Sequence, residues 1–257
     1  MTVIYNFGAY SGDTIFPLGS LARDSEGNFY GASNQGGDYG VGTLFKVTPD
    51  GTETVLHSFD DISTDGFYPL SGVVFDKAGN LYGATGGGPH SNGIAYEWSA
   101  SGAYSIIYNF PSAKFNGTNP TGGLTVDSKG NLYGTTTGGG ATNNGTVFRL
   151  SPEQNGSWRE TVLYSFTGTT GSQPGSIVTF DGGGDLYTTT AFGGTGGWGT
   201  VVKISPGGIA TVLCNFNGIA NGAWPQGNVL LGSAGNIYGA ASEGGSQDVG
   251  VFFKIAP

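Results

Sequence analysis

The chain has 257 residues and a formal net charge of −9, and its nine Lys and Arg are scattered, which excludes the basic footprint of a nucleic-acid or anionic-membrane binder. Its 51 glycines and 11 prolines approach low-complexity levels, but 13% aromatics and a fixed glycine period exclude a disordered polar chain. The single cysteine, Cys214, excludes a disulfide framework and a cysteine-rich zinc site, and no apolar run is long enough for a membrane-spanning helix.

Along the chain, "TVIYNF" reads as a strand that Met1 enters directly, with no secretory leader visible. The turn "DSEGN" then leads into "GNFYGAS", followed by "GTLFKV" and "TVLHSF". The same order returns four more times. Tyrosines of the second series stand at 30, 82, 133, 187 and 238, and "TVIYNF"-type segments end at Phe7, Phe59, Phe110, Phe166 and Phe216. Each unit of about 51 residues holds four short β-rich runs, a to d. Run a follows a proline, as in "PLSGVVFD"; the a–b connection has Asp at the first position and Gly at the fourth, which fits a type I turn. No segment sustains a 3.6-residue period, so helix content should be near zero.

Four antiparallel strands repeated five times predict an all-β, five-bladed β-propeller filling 1–257 as one domain. The blades span about 14–59, 66–110, 118–166, 172–216 and 223–257, the last completed by residues 2–7. Neighbouring large apolar residues in runs such as "NLYGTT" point to opposite faces, as a sheet sandwiched between two others requires. The N-terminal d-type run should close the last blade and remove its free edge.

The "YGTT…GG…GT.F.L.P" unit resembles the GloVer-type tandem repeat of bacterial extracytoplasmic proteins, over all five units. The resemblance implies an exported or cell-surface β-propeller and brings no established catalytic residues. "LYTTTAF" in the fourth unit and "GIAYEW" in the second depart from it.

The d–a and b–c loops carry nearly all the variation between units, and variable loops on a rigid scaffold are where binding resides. They hold Trp198, Trp224, Tyr39, Phe67, Tyr68 and His90 as candidate ligand-binding residues. Flat aromatics stack on sugar rings while carboxylates and amides take the hydroxyls. The expected partner is therefore a polysaccharide or oligosaccharide bound by a monomer, without nucleic acid, membrane insertion, cofactor or metal. The competing reading of Phe16, Tyr68 and Trp224 is that aromatics before Pro17, Pro69 and Pro225 wedge neighbouring blades. A glycoside hydrolase needs two carboxylates, and Asp65, Glu243, Asp38 and Asp13 are the candidates, Asp65 and Glu243 first. A lectin-like binder leads, a glycoside hydrolase or lyase is the alternative, and a structural or protein-interaction domain is the third reading.

Other motifs carry less. "GTGGWG" matches a dinucleotide fingerprint, but no helix follows to hold a pyrophosphate. His57 replaces a Tyr or Cys of its sister runs and reads as structural, and Cys214 as a half-buried strand residue. Asp24, Asp76, Asp127 and Asp181 read as turn formers, not calcium ligands. Glu97, where the sister runs carry Lys or Arg, should form a cross-blade ion pair.

Overall fold

A computed structural model describes residues 1–60, 65–88, 92–112 and 115–257. The first sheet runs β1 (Thr14–Arg23), β2 (Phe29–Gly36), β3 (Thr43–Val47), β4 (Glu53–Ser58), in that order. The second repeats it with β5 (Val74–Phe75), β6 (Leu81–Thr85), β7 (Ile94–Trp98) and β8 (Tyr104–Asn109). A two-stranded ribbon follows, β9 (Gly117–Thr118) with a later partner. The third sheet is β10 (Thr125–Val126), β11 (Leu132–Thr136), β13 (Thr146–Pro152) and β14 (Trp158–Ser165); the ribbon's partner β12 (Gly138–Gly139) lies in its b–c loop. In the fourth sheet the inner strand is split into β15 (Ser172–Pro174) and β16 (Thr179–Phe180), both paired to β17 (Leu186–Phe192), with β18 (Thr200–Ile204) and β19 (Ala210–Asn215) outside. The fifth is β20 (Leu230–Leu231), β21 (Ile237–Ala241) and β22 (Val251–Ile255). These are the blades of a five-bladed β-propeller, and among the described residues the only helical element is a 3-10 turn at Ser233–Gly235.

The central strands are buried on both faces, as the pattern of the b and c runs requires. All five residues of β6 are buried, and so are Thr43, Leu44, Phe45 and Val47 of β3. The phenylalanine closing each of the four internal d runs, Phe59, Phe110, Phe166 and Phe216, is fully buried. Each such ring contributes about 1.5–3 kcal/mol by leaving water.

The Asp turns work as expected, with one addition the sequence reading lacked. Asp24 Oδ1 accepts from the Glu26 and Asn28 amides at 3.0 and 2.9 Å, and its Oδ2 accepts from the Tyr30 hydroxyl at 3.1 Å. Asp76 with Tyr82 and Asp181 with Tyr187 repeat the arrangement. The tyrosine of the "LYG" run therefore anchors the preceding turn. Glu97 differs from expectation. Its Oε1 lies 3.2 Å from the Tyr82 hydroxyl within the same blade, which it shares with Asp76, and among the described residues it forms no ion pair.

The N-terminal d-type run is described within the first unit alone. Residues 1–6 carry no strand, and the last sheet has three strands, not four. The run's side chains pack on the first blade. The Phe7 and Phe45 rings lie 5.1 Å apart, edge to face, and Tyr5 donates to Asp13 at 3.0 Å. Phe59 against Tyr96 and Phe216 against Phe253 make the same contact, at 5.1 and 5.3 Å. So residues 1–7 pack as a d run does, without its ladder. Deleting Met1–Phe7 should lower stability by about 2 kcal/mol, mostly through the lost Phe7 contact. An unchanged melting temperature would show that the segment contributes nothing.

Contacts divide the chain into two compact units. The first holds Met1–Pro111, Asn119–Asn131 and Pro152–Arg159; the second holds Ser112–Thr118, Leu132–Ser151 and Glu160–Pro257. Both use one blade junction. The residue before each run-a proline sits in the left-handed region: Phe16, Tyr68, Asn119, Gln173 and Trp224, with φ between 52° and 59°. That conformation is unusual for a non-glycine residue and costs on the order of 1 kcal/mol or more. The geometry is held by a backbone hydrogen bond across the junction. Tyr68 N–H donates to Val41 and Asn119 N–H to Asn92 in the first unit; Gln173 N–H donates to Asn144 and Trp224 N–H to Trp198 in the second. The acceptor in each pair directly precedes a glycine on which the proline of the next blade packs.

Candidate functional site

The d–a and b–c loops of a blade meet through backbone pairs. Phe67 exchanges two hydrogen bonds with Gly87, Gly140 N–H donates to Asn116, and Ala223 exchanges two with Glu243. Variable side chains are therefore carried on tied, not free, loops.

In the first unit, Asp65 is 6% exposed and its acceptors are occupied. Oδ2 lies 2.7 Å from His57 Nε2, while Oδ1 accepts from Tyr104 Oη at 2.5 Å and its neighbour Gly66 N at 2.7 Å. The His57 ring stacks on Tyr104, with centroids 3.6 Å apart. Burial works against the charged carboxylate, but the His57, Tyr104 and Gly66 donors outweigh it and hold the group below the usual carboxylate range. Burial, then Asp65 itself, pushes the Tyr104 phenol well above its ordinary value.

Asp13 occupies the equivalent place in the first blade, four residues before the proline. It is 1% exposed and accepts from Tyr5, Ala9 N and Thr14 N. Asn116, Thr170 and Asn221 stand at the same offset, and Asn116 donates to Glu160 while Thr170 accepts from Tyr164. Asp13 and Asp65 thus belong to a repeated polar joint between d run and d–a loop. Spacing from the proline could have revealed this in the sequence.

Asp38 and Tyr39 are exposed at the mouth of a polar cleft of about 620 Å³, which Tyr10, Ser11, Glu53 and Ser58 help to line. Glu53 there accepts from Tyr10 and Thr14 at 2.7 and 2.9 Å. Phe67 and Tyr68 meet edge to face at 5.3 Å. Tyr68 is 46% exposed, so it does not wedge its blade junction; the left-handed backbone turns it outward, as it does Phe16, and Pro69 on Gly42 fills the joint instead. His90 lies outside the described residues, and so does Asp61. Asp65 and Glu243 fall in different units.

The second unit holds the densest aromatic surface. The Trp198 and Trp224 rings lie 6.1 Å apart, and Phe192 meets Trp224 at 6.0 Å. Trp198 and Phe192 are both 40% exposed. The two indoles are neighbours because they occupy the two partner positions of one junction, joined by the Trp224 N–H to Trp198 hydrogen bond of 3.0 Å. At the preceding junction the same positions hold Gln173 and Asn144. Gly218 lets the loop lie against Trp198: a Cβ there would stand 3.2 Å from the indole. Ser242 donates to the Trp224 carbonyl at 3.1 Å, and half-buried Glu243 follows it, so a carboxylate-bearing loop borders the aromatic pair. Among the described residues no group of three or more His, Cys, Asp or Glu could hold a metal.

The profile of the Gloeobacter/Verrucomicrobia repeat matches residues 1–183 and 129–257, and no curated protein matches the chain. Solved structures share the fold at low identity. A luciferin-regenerating enzyme has a TM-score of 0.56 and 15% identity over 96% of this chain and 79% of its own. A glucose dehydrogenase has a TM-score of 0.57 and 16% identity, covering 96% and 82%. The extracellular domain of a one-component system from B. thetaiotaomicron has a TM-score of 0.57 and 13% identity, covering 90% of this chain and 26% of that one. The chain belongs to the Gloeobacter/Verrucomicrobia repeat family.

Proposed function

We propose that this member of the Gloeobacter/Verrucomicrobia repeat family binds polysaccharide or oligosaccharide outside the cell, through Trp198, Trp224 and Phe192. Exposed Trp198 beside half-buried Trp224 carries the reading. Tilted 39° to each other, they form an angled apolar surface whose exposed indole face can take the axial C–H face of a pyranose, on loops whose backbone is already fixed, so little ordering entropy opposes binding. Glu243 and Asn217 on the adjoining loops offer acceptors and donors for hydroxyls. The acidic, charge-poor surface suits neutral glycans. One fold neighbour is named for a glucose reaction, which agrees with the ligand class but transfers no residue.

Affinity electrophoresis against a panel of neutral plant and microbial polysaccharides tests this. Trp198→Ala and Trp224→Ala should each weaken retention by about tenfold, the scale of one buried aromatic anchor. Tyr39→Ala, on another loop, should leave it unchanged. Unaltered retention in both tryptophan variants would remove the platform from the reading. Reducing-end release in the same incubations, lost in Glu243→Gln, would instead mark a glycoside hydrolase.

A further inference from the structure

One d run replaces its sister residue by a group with two working nitrogens. Two positions before the phenylalanine that ends each d run stand Tyr5, His57, Tyr108, Tyr164 and Cys214. Where the residue is tyrosine, one contact with the following loop completes the joint: Tyr5 donates to Asp13 at 3.0 Å and Tyr164 to Thr170 at 2.9 Å. His57 makes that contact with Nε2, 2.7 Å from Asp65 Oδ2, and keeps a second ring nitrogen. All the groups around it belong to the first unit.

The surroundings fix both the ring and its tautomer. Tyr104 stacks on the imidazole, with centroids 3.6 Å apart and planes 11° from parallel, and Phe59 meets it edge to face at 4.9 Å. Ionised Asp65 is an acceptor only, so in the neutral ring the shared hydrogen sits on Nε2 and Nδ1 carries the lone pair. Asp65 is itself held, because its Oδ1 accepts from the Tyr104 hydroxyl and the Gly66 amide. Among the described residues nothing bonds Nδ1. The His57 side chain is 21% exposed and lines the polar cleft of about 620 Å³, with Ser11, Asp38, Tyr39 and Glu53.

We propose that this cleft is a hydrolytic site for neutral carboxylic esters, separate from the aromatic platform, with His57 Nδ1 as general base and Asp65 as its positioning residue. A water at Nδ1 gives up a proton while its oxygen bonds to the acyl carbon. The C–O bond to the alcohol then breaks, and the imidazolium returns the proton to the departing alkoxide, leaving a carboxylic acid and an alcohol. An imidazole whose far nitrogen is fixed by a buried carboxylate is the arrangement this chemistry needs. The substrate class follows from the rest of the cleft. Asp38 and Glu53 repel phosphoesters and other anions. A glycoside needs a protonated carboxyl to release its alcohol, whereas the alkoxide of an ester can take the imidazolium proton.

Release of p-nitrophenol from p-nitrophenyl acetate, followed over a range of ester concentrations, tests this. Wild type should turn over above the buffer rate, and Cys214→Ser should match it, which separates turnover from acetylation of the thiol. His57→Tyr restores the hydroxyl that Tyr5 and Tyr164 use at this joint, so it should melt close to wild type yet lose about 100-fold in kcat. His57→Gln, which keeps a donor but has no base, should lose as much. Asp65→Asn should lower kcat with little change in KM. Added to His57→Tyr it should cost no further rate, because residues that act as a unit are not additive. p-Nitrophenyl phosphate should not be cleaved. The proposal is overturned if wild type does not exceed buffer, if either folded His57 variant keeps the wild-type rate, or if the Asp65 and His57 substitutions multiply.

Discussion

Replacing Asp65 by alanine should cost about 3 kcal/mol, although the residue lies in a loop beside the rim expected to bind ligand. The change removes a nearly buried carboxylate and leaves the Tyr104 hydroxyl, the Gly66 amide and His57 without their acceptor. Orphaning several donors to a nearly buried carboxylate is worth about this much. The pH dependence follows from the depressed carboxyl. A group whose folded pKa lies below its unfolded value of about 3.9 contributes fully above that pH, and its contribution is lost as pH falls through the folded value. Wild type should therefore lose stability below about pH 4 more steeply than Asp65→Asn, which has no carboxylate to protonate. Denaturant melts from pH 2 to 7 read both effects. Equal acid limbs, or an Asp65→Ala midpoint equal to wild type, would return Asp65 to the list of residues free for chemistry.

This result bears on how function is read from a repeat. In the sequence, Asp65 was attractive as one of the acids on the loops of blades 1, 2 and 5 that could pair as catalytic carboxylates. In the structure it is one of five residues four positions before a proline, and Asp13, Asn116, Thr170 and Asn221 fill the same place with groups that can also accept or donate. A residue shared by position, even when not by type, is a joint. Exposure separates recognition from a joint: Asp13 and Asp65 are buried with their acceptors filled, whereas the junction pairs, Tyr68 with Val41 and Trp224 with Trp198 among them, present Tyr68 and Trp198 to solvent.

Strands and Asp turns were legible because each depends on a few neighbouring residues: alternating burial for the strands, and a side chain accepting from amides two and four residues on for the turns. The adjacency of Trp198 and Trp224 was not legible. They stand on different blades, and only the junction hydrogen bond brings them together. Nor was the outward turn of Phe16 and Tyr68, since a residue before proline ordinarily prefers the extended region. The N-terminal run shows the limit of local pattern. "TVIYNF" has all the local marks of a d run and makes its ring contact with Phe45, but ladder pairing needs a neighbour's edge that local pattern cannot supply.

The largest single-residue effect should come from Gly145→Ala, at a position the sequence presents only as one glycine among 51. Its φ of +90° strains any other residue, and a Cβ would lie 2.2 Å from the Thr136 carbonyl oxygen and 2.6 Å from Pro174 Cδ. Neither neighbour can retreat: Thr136 is in the β11–β13 ladder, and Pro174 is fixed behind the left-handed Gln173. The Gly145 carbonyl also receives the Phe166 amide at 3.0 Å, so shifting the glycine pulls on a fully buried ring. Backbone strain and overpacking together should cost at least about 3 kcal/mol, or roughly 6–12 °C in melting temperature for a chain of this size. Gly130→Ala is the matched control. Its φ is +81°, but nothing lies within 4 Å of the added methyl, so it should cost only about 1 kcal/mol. The difference between the two variants isolates the clash from the backbone strain. If Gly145→Ala melts no lower than Gly130→Ala, the proline does not hold the joint, and the five blades are stabilised by their apolar faces alone.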